Sequence, residues 1–363
     1  MSDIRGGAGK LMMNLSMALA ESGWDVTIIS PKPHSSDDIS RPQHKNLHYE
    51  EFNYRNPTNL AKRVIGSIRG KQEFSSIVEK KDIDIIIDDV SHLPFYPAHF
   101  RIPSSIKNAV FIHTALFDAA WGSAKFFKAP IVEFVDRTLP YLNRPEIICA
   151  GPSTETRIQK YLRYRHTHII RPYADIEEYN YKFDPTAKQI LYLGRLTKRK
   201  NLRCLLDAWK IIERQYPEYN LTIAGDGELR ARLMEYKDDI GLDNVDFPGF
   251  VSEERKKKLF EESLLFATPS LEEGYLTSGL EALAAGTPVV GTDTHGINDY
   301  IENGKNGVLF ERDDSQDLAN KLSSLLADPQ QIEELARNGE KTANKHSYNK
   351  FRQSADDVLM EIL

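Results

Sequence analysis

The sequence predicts an α/β protein built from two doubly wound parallel sheets, and three observations carry that prediction. Short β-branched and aliphatic runs alternate with stretches of helical period along nearly the whole chain. The strand candidates are close to continuously apolar, as expected of parallel strands covered on both faces. The runs also fall into two groups, separated by the polar, aperiodic segment "IIRPYADIEEYNYKFDPTAK" with its Pro172 and Pro185. With 363 residues, each group has enough chain to bury its own core. The expected division is a first domain over 1–172, a second over 173–345, and a C-terminal helix over 346–363. That helix can pack on either domain, crossing back to the first in one arrangement.

Taken in order, the first group offers strands at 25–30, 83–88, 108–113 and 146–150. The second offers 189–194, 220–225, 244–249, 264–269, 287–292 and 306–311. Helical patterns lie between them at 9–22, 58–80, 200–215, 228–239, 252–262, 276–286 and 314–326. Open sheets of this kind bind ligands beyond the carboxyl ends of their strands, so two facing domains would form a cleft.

Composition narrows the class. Hydrophobic residues make up 40% and charged residues 28%, as in ordinary globular proteins. No apolar run approaches the ~18–20 residues that span a bilayer, and the start lacks a signal peptide's apolar stretch. Cys149 and Cys204 sit in apolar surroundings, which favours two buried thiols over a disulfide or a metal site. The chain reads as cytoplasmic. The net charge of −6 is uneven, at +2 for residues 1–185 and −8 for 186–363. Arg55, Lys62, Arg63, Arg69 and Lys71 follow one another with no acid between. That run is either a solvated helix face or a contact for anionic lipid or an anionic acceptor.

The opening "RGGAGK" resembles a phosphate-cradling loop, yet it fails as a P-loop. The pattern G-x-x-x-x-G-K-[ST] needs glycine where Ile4 stands and a hydroxyl where Leu11 stands. What remains is a glycine turn running into a helix with Leu11, Met12, Leu15 and Leu19 on its apolar face. Gly6 and Gly7 would let a ligand approach the backbone there, or they form a plain turn.

The stretch richest in chemistry is "TPSLEEGYLTSGLEALAAGTPVVGTD" at 268–293. It reads as a strand end, a turn holding Glu272 and Glu273, and a helix from about Leu276 that carries Glu281. A helix N-terminus offers unpaired N–H groups and partial positive charge, suited to a phosphate. Glu281 is an acid on a largely apolar helix, so it needs hydroxyls or a cation as partners.

Glu273 and Glu281 form E-x7-E, and "EGYLTSGLEALAAGTPVV" resembles the donor-site signature of glycosyltransferase family 4. Other segments resemble the family in order and spacing: "ILYLGRLTKRKNL", "LTIAGDGELRARL" with Gly225, "VDFPGFVS" with Val251, and "ICAGPSTETRIQKY", where Ser153 starts a helix. The resemblance implies the GT-B architecture of two Rossmann-like domains and a retaining hexosyltransferase. It implies a nucleotide-sugar donor, UDP- or GDP-linked, and a glycan or lipid-linked acceptor, with no cofactor, metal or nucleic acid. Glu281 is then expected on the donor ribose and Glu273 on the sugar hydroxyls. Arg195 and Lys200, with N–H groups near Gly274, Tyr275, Leu276, Thr277 and Ser278, are expected on the diphosphate. His113, at the end of "NAVFIH", is expected near the acceptor or the transferred sugar. The opening glycine loop becomes a sugar-nucleotide loop.

Three departures stand beside the resemblance. No strand precedes "GGAGK", although the first strand of a doubly wound sheet is central and its loss leaves a gap between neighbours. Either the start lies upstream of Met1 or the first domain is rebuilt. Leu276 replaces a family glycine and is expected to crowd the phosphate loop. Asp299 and His295 replace a common glutamate and glycine. A nucleotide-sugar-binding subunit without catalysis and a sugar-nucleotide epimerase remain alternative functions.

Overall fold

The computed structural model describes residues 7–31, 41–52, 76–89, 105–113 and 145–363. It divides into two compact units, Met1–Arg171 with Phe351–Leu363, and Pro172–Lys350. The basic run from Arg55 to Lys71, most of the 58–80 helix, and Gly6 lie outside the described residues.

The first unit opens with helix α1 (Gly7–Glu21). Its face of Leu11, Met12, Leu15 and Leu19 is buried, as its period predicts. Strands β1 (Val26–Pro31) and β2 (Leu47–Phe52) pair in parallel under it. Met13 and Ala20 of α1 share a small core with Ile28 and Leu47. Strands β3 (Ile85–Asp89), β4 (Lys107–Ile112), β5 (Glu146–Cys149) and β6 (Thr167–Ile169) form a second parallel sheet in that order. Among the described residues the two sheets share no ladder.

Helix α2 (Pro152–Leu162) follows β5, with Ile158 and Leu162 on its core face. Its N-cap is Gly151, with Pro152 in the first turn. Ser153 thus lies in the first turn of the helix, one residue after its start; proline suits the first turn because its missing N–H is one the helix leaves unbonded anyway.

The second unit carries one parallel six-stranded sheet. Its strands are β7 (Gln189–Leu193), β8 (Asn220–Ala224), β9 (Val245–Gly249), β10 (Ser263–Thr268), β11 (Val289–Thr292) and β12 (Gly307–Phe310). They lie in the order β12-β11-β10-β7-β8-β9, the doubly wound arrangement. Helices α3 (Leu202–Gln215), α4 (Arg230–Asp239), α5 (Glu253–Glu261), α6 (Thr277–Ala285), α7 (Ser315–Ala327) and α8 (Pro329–Ala343) cover the faces. One core forms around Trp209, Leu205 and Leu322, and the other around Phe260, Phe266 and Leu280. Every residue of β10 is buried, so its continuous apolar run follows from its place in mid-sheet.

Helix α9 (Tyr348–Ile362) ends the chain, and most of it belongs to the first unit. Trp24 Nε1 donates to Asp356 Oδ1 at 2.6 Å. His168 places Nε2 3.0 Å from Glu146 and Nδ1 3.3 Å from Glu361.

Candidate active site

Strands β7 and β10 are direct neighbours, with Leu191 opposite Phe266, and the strand order reverses between them. The loops leaving their carboxyl ends therefore emerge side by side, at the position where open sheets bind ligands. This geometry unites Lys200 and Glu273, which are 73 residues apart in sequence. Lys200 Nζ donates to Glu273 Oε1. Arg199 Nη1 lies 3.7 Å from Glu273 Oε2 and donates to the Glu272 carbonyl at 3.1 Å. The backbone joins the loops as well, through Leu271 N–H to the Arg199 carbonyl at 2.9 Å.

Glu273 is only 6% exposed. Burial pushes its carboxyl pKa up, but Lys200 and Arg199, with hydrogen bonds from Lys200 and Ser270, outweigh it and hold the group below its ordinary value. Glu273 thus stays a carboxylate at neutral pH. Arg195 is exposed on the same loop, its carbonyl accepting from the Tyr192 hydroxyl at 3.1 Å.

The turn from Glu273 to α6 is braced from three sides. Glu273 N–H donates to the His295 carbonyl at 3.3 Å, and Leu276 N–H to the Gly296 carbonyl at 3.2 Å. Gly296 has φ +78°, and a Cβ there would lie 2.5 Å from the Glu273 carbonyl oxygen, so glycine is required. Leu276 does not crowd the loop's outer side. Its side chain is buried over Gly279, and its carbonyl accepts from the Tyr300 hydroxyl at 2.6 Å. The apolar side chain turns to the core because burial there removes it from water.

Tyr275 packs its ring 5.4 Å from that of Tyr300 and places its hydroxyl 2.8 Å from His346 Nε2. His346 Nδ1 lies 3.0 Å from the Thr342 carbonyl. A carbonyl can only accept, so Nδ1 carries the hydrogen and Nε2 accepts from Tyr275. Gly274 precedes this tyrosine, and Thr277 and Ser278 open α6, with Thr277 exposed. No side chain caps α6, and the Gly279 and Leu280 N–H groups both turn to the Leu276 carbonyl.

Glu281 stands one turn into α6, half-buried. Its Oε1 accepts from Lys256 Nζ at 2.8 Å. Lys256 is itself buried, and it bonds Glu253 Oε2 at 2.6 Å. Burial pulls its pKa down, but the Glu281 charge and the bonds to Glu253 and Glu281 outweigh that and hold it above its ordinary value. Sequence reasoning missed Lys256 because "EERKKK" reads as a solvated charged face. The signal was present: Leu259 and Phe260, three and four residues on, are buried, which puts position 256 on the covered face of α5.

Gly225 lies at φ +133°, its N–H donating to the Gly249 carbonyl at 2.8 Å. A Cβ there would lie 1.9 Å from the Gly194 carbonyl oxygen, so this turn sits directly against the loop leaving β7. Val251 packs on the same core as Tyr275 and Leu276. Gly225 and Val251 thus border the loops that hold Lys200 and Glu273.

In the first unit, adjacent strands β3 and β4 bring Asp89 and His113 together by the same logic. His113 Nε2 lies 2.7 Å from Asp89 Oδ1, and both side chains are largely buried. The His113 ring is 4.9 Å from that of Phe111. Of the glycine loop, Gly7 forms the first residue of α1. Among the described residues, no group of three or more histidines, cysteines or acids could hold a metal ion. No described helix is long and apolar enough to cross a membrane. Cys149 and Cys204 are both buried free thiols, and burial pushes the Cys204 pKa up to about 12.

The family description "Glycosyl transferases group 1" matches residues 175–342, and "Glycosyltransferase Family 4" matches residues 5–178. An uncharacterized glycosyltransferase of Haemophilus influenzae is 24% identical over 90% of this chain and 88% of its own length. The amylovoran biosynthesis glycosyltransferase AmsK of Erwinia amylovora is 33% identical, over 42% of this chain and 40% of its own. Among solved structures, sucrose-phosphate synthase from Thermosynechococcus elongatus superposes with a TM-score of 0.84 at 19% identity, covering 98% of this chain and 94% of that one. Anabaena HepE, solved in complex with UDP and glucose, gives 0.73 at 18% identity, covering 99% and 97%. The two family matches overlap at residues 175–178, near the boundary between the units, and together run from residue 5 to residue 342. The chain belongs to the group 1, family 4 glycosyltransferases and has their GT-B fold.

Proposed function

We propose that this glycosyltransferase moves a hexose from a nucleotide-sugar donor to a glycan or lipid-linked acceptor, with retention of anomeric configuration and without a metal ion. The observation that carries the reading is the pair of glutamates at the start of α6, Glu273 just before the helix and Glu281 one turn into it, each bonded to a lysine from another element. Glu281 takes the donor ribose hydroxyls, and Glu273 the hydroxyls of the transferred sugar. Lys200 and Arg195, with the Ser278 N–H in the first turn of α6, take the diphosphate, while the Thr277 N–H donates to the Tyr275 carbonyl at 3.1 Å. An ammonium has three donor hydrogens, so Lys200 can bond Glu273 and a phosphate oxygen together. Val251 and Gly225 border the nucleoside.

In the reaction the bond from the sugar C1 to the phosphate oxygen breaks, and the diphosphate keeps the electron pair. The acceptor oxygen bonds C1 on the face the phosphate left, and its proton passes to a phosphate oxygen. Lys200 and the α6 N-terminus stabilise the charge that builds on the leaving group, and one such donor is worth about 3 kcal/mol. His113, held by Asp89, stands at the acceptor or the transferred sugar. The UDP and glucose bound by HepE support a UDP-sugar donor. A peripheral contact with an anionic membrane fits a lipid-linked acceptor.

The test is a thermal-shift screen against UDP-, GDP- and ADP-sugars, with and without EDTA, followed by proton NMR of the product linkage. A donor at one hundred times its Kd should add about 2.7 kcal/mol of stability. A base-selective shift that survives EDTA, followed by a product of the donor's own anomeric configuration, is expected. An inverted product would refute retention, and epimer formed without any acceptor would replace transfer with epimerisation.

A further inference from the structure

The proposed role of Glu281 leaves Lys256 unassigned, and its placement is unusual. It belongs to a run of three lysines on α5, yet it is buried while Lys258 is exposed. Lys258 pairs with exposed Glu254 on its own helix, at 3.0 Å. Lys256 instead reaches across to another helix and meets Glu281 at 2.8 Å, with Glu253 2.6 Å away on its other side. Its side chain is 11% exposed and that of Glu281 15%, whereas Glu253 is 73% exposed. One ammonium thus bridges a solvent-facing carboxylate and a sheltered one.

The chemistry of the sheltered carboxylate depends on that bridge. Glu281 rises from a helix whose next four residues, Ala282, Leu283, Ala284 and Ala285, are all buried. A carboxylate in such surroundings must be paired or lose its charge. A carboxylate oxygen has two lone pairs, so Oε1 can accept from Lys256 and still accept a hydroxyl. The pairing also fixes the side-chain torsions before a ligand arrives, which removes part of the ordering cost of binding. We propose that Lys256 is a positioning residue that holds Glu281 ionised and aimed, and thereby sets the preference of the nucleotide site for ribose over 2′-deoxyribose. The inference rests on the proposed role of Glu281 as the ribose ligand.

The probes are UDP, GDP and ADP, each compared with its 2′-deoxy counterpart by calorimetry on the full chain. A hydrogen bond to a charged group is worth roughly a factor of ten or more in affinity. The parent chain should therefore prefer the ribonucleotide of its chosen base about tenfold. In Lys256→Met the ribonucleotide should weaken by about that factor while the deoxynucleotide hardly changes, so the preference collapses. Lys256→Arg should restore most of it, and Lys258→Met should retain it. With the donor sugar, Lys256→Met should raise KM with kcat nearly kept. Should Lys256→Met not fold, Lys256→Gln carries the same test, with the preference expected to fall at least threefold.

A folded Lys256→Met that keeps the parent preference overturns the inference alone, provided Glu281→Gln abolishes that preference. A Glu281→Gln that keeps it overturns the ribose reading itself, and this inference with it. Equal loss of both nucleotides in Lys256→Met overturns the positioning role and makes the lysine a general support of the fold.

Discussion

The two units solve the same packing problem with different continuity. In the second, six parallel strands run unbroken, and the neighbours β7 and β10 stand at the point where strand order reverses. In the first, β1 and β2 form one sheet and β3 to β6 another. The comparison teaches that function follows adjacency. Wherever two parallel strands are neighbours, the groups at their carboxyl ends meet, as Lys200 meets Glu273 and Asp89 meets His113. Six adjacent parallel strands supply several such meetings on one edge. Lys200, Arg195 and the N-terminus of α6, to which the proposal gives the diphosphate, lie in the second unit.

The sharpest way to break this comparison is to attack the joint between β7 and its neighbours. Gly225→Ala would set a Cβ at φ +133° and against the Gly194 carbonyl, so the two loops must separate. It should destabilise the second unit by more than 3 kcal/mol or prevent its folding, read by chemical denaturation. Lys200→Met leaves Glu273 buried beside Arg199 alone. It should cost about 3 kcal/mol of stability and remove most turnover, where an unchanged Tm would mean the pair is not a structural element of the site.

Acid should distinguish the units as well. The Glu273 pKa is lowered from the 4.5 of an ordinary glutamate, so its contribution is fully present above that value. It is withdrawn as pH falls through the lower folded-state value. Stability of the second unit should therefore drop below about pH 4.5, and Lys200→Met should flatten that drop. His346→Phe keeps a ring beside Tyr300 but removes the acceptor for Tyr275. The loss should be about 1 kcal/mol, accompanied by weaker donor binding as the turn before α6 loosens. Smallest of all should be Asp89→Asn, which preserves shape and leaves the second unit's unfolding midpoint unmoved. Hydrogen exchange should sharpen the contrast throughout, with amides of β7 and β10 slower than those of β3 and β4.

The ten strands expected from apolar runs are all present, because parallel strands buried on both faces must be written in aliphatic residues. The two missed strands explain themselves. β2 reads "LHYEEF", half polar, and among the described residues pairs only with β1, while β6 is three residues long. Helix α8 escaped notice because it directly follows α7, with Asp328 capping at the shared boundary. At the site, Glu273 and Glu281 were legible from spacing and context. Their partners were less so. From sequence Lys200 reads as a phosphate ligand, and its bond to Glu273 is a consequence of strand order that no local pattern encodes. Lys256 lay within a run of charges, and only the buried residues one turn further along α5 show which lysine faces inward.

The measurement that bears most directly on the central claim is calorimetric titration of UDP-, GDP- and ADP-sugars into the parent chain and into Glu281→Gln. The account predicts that one base is preferred and that its sugar nucleotide binds Glu281→Gln at least tenfold more weakly, with the variant's fold intact. Equal affinity of both proteins for that nucleotide sugar would contradict it, and would move the donor site away from α6.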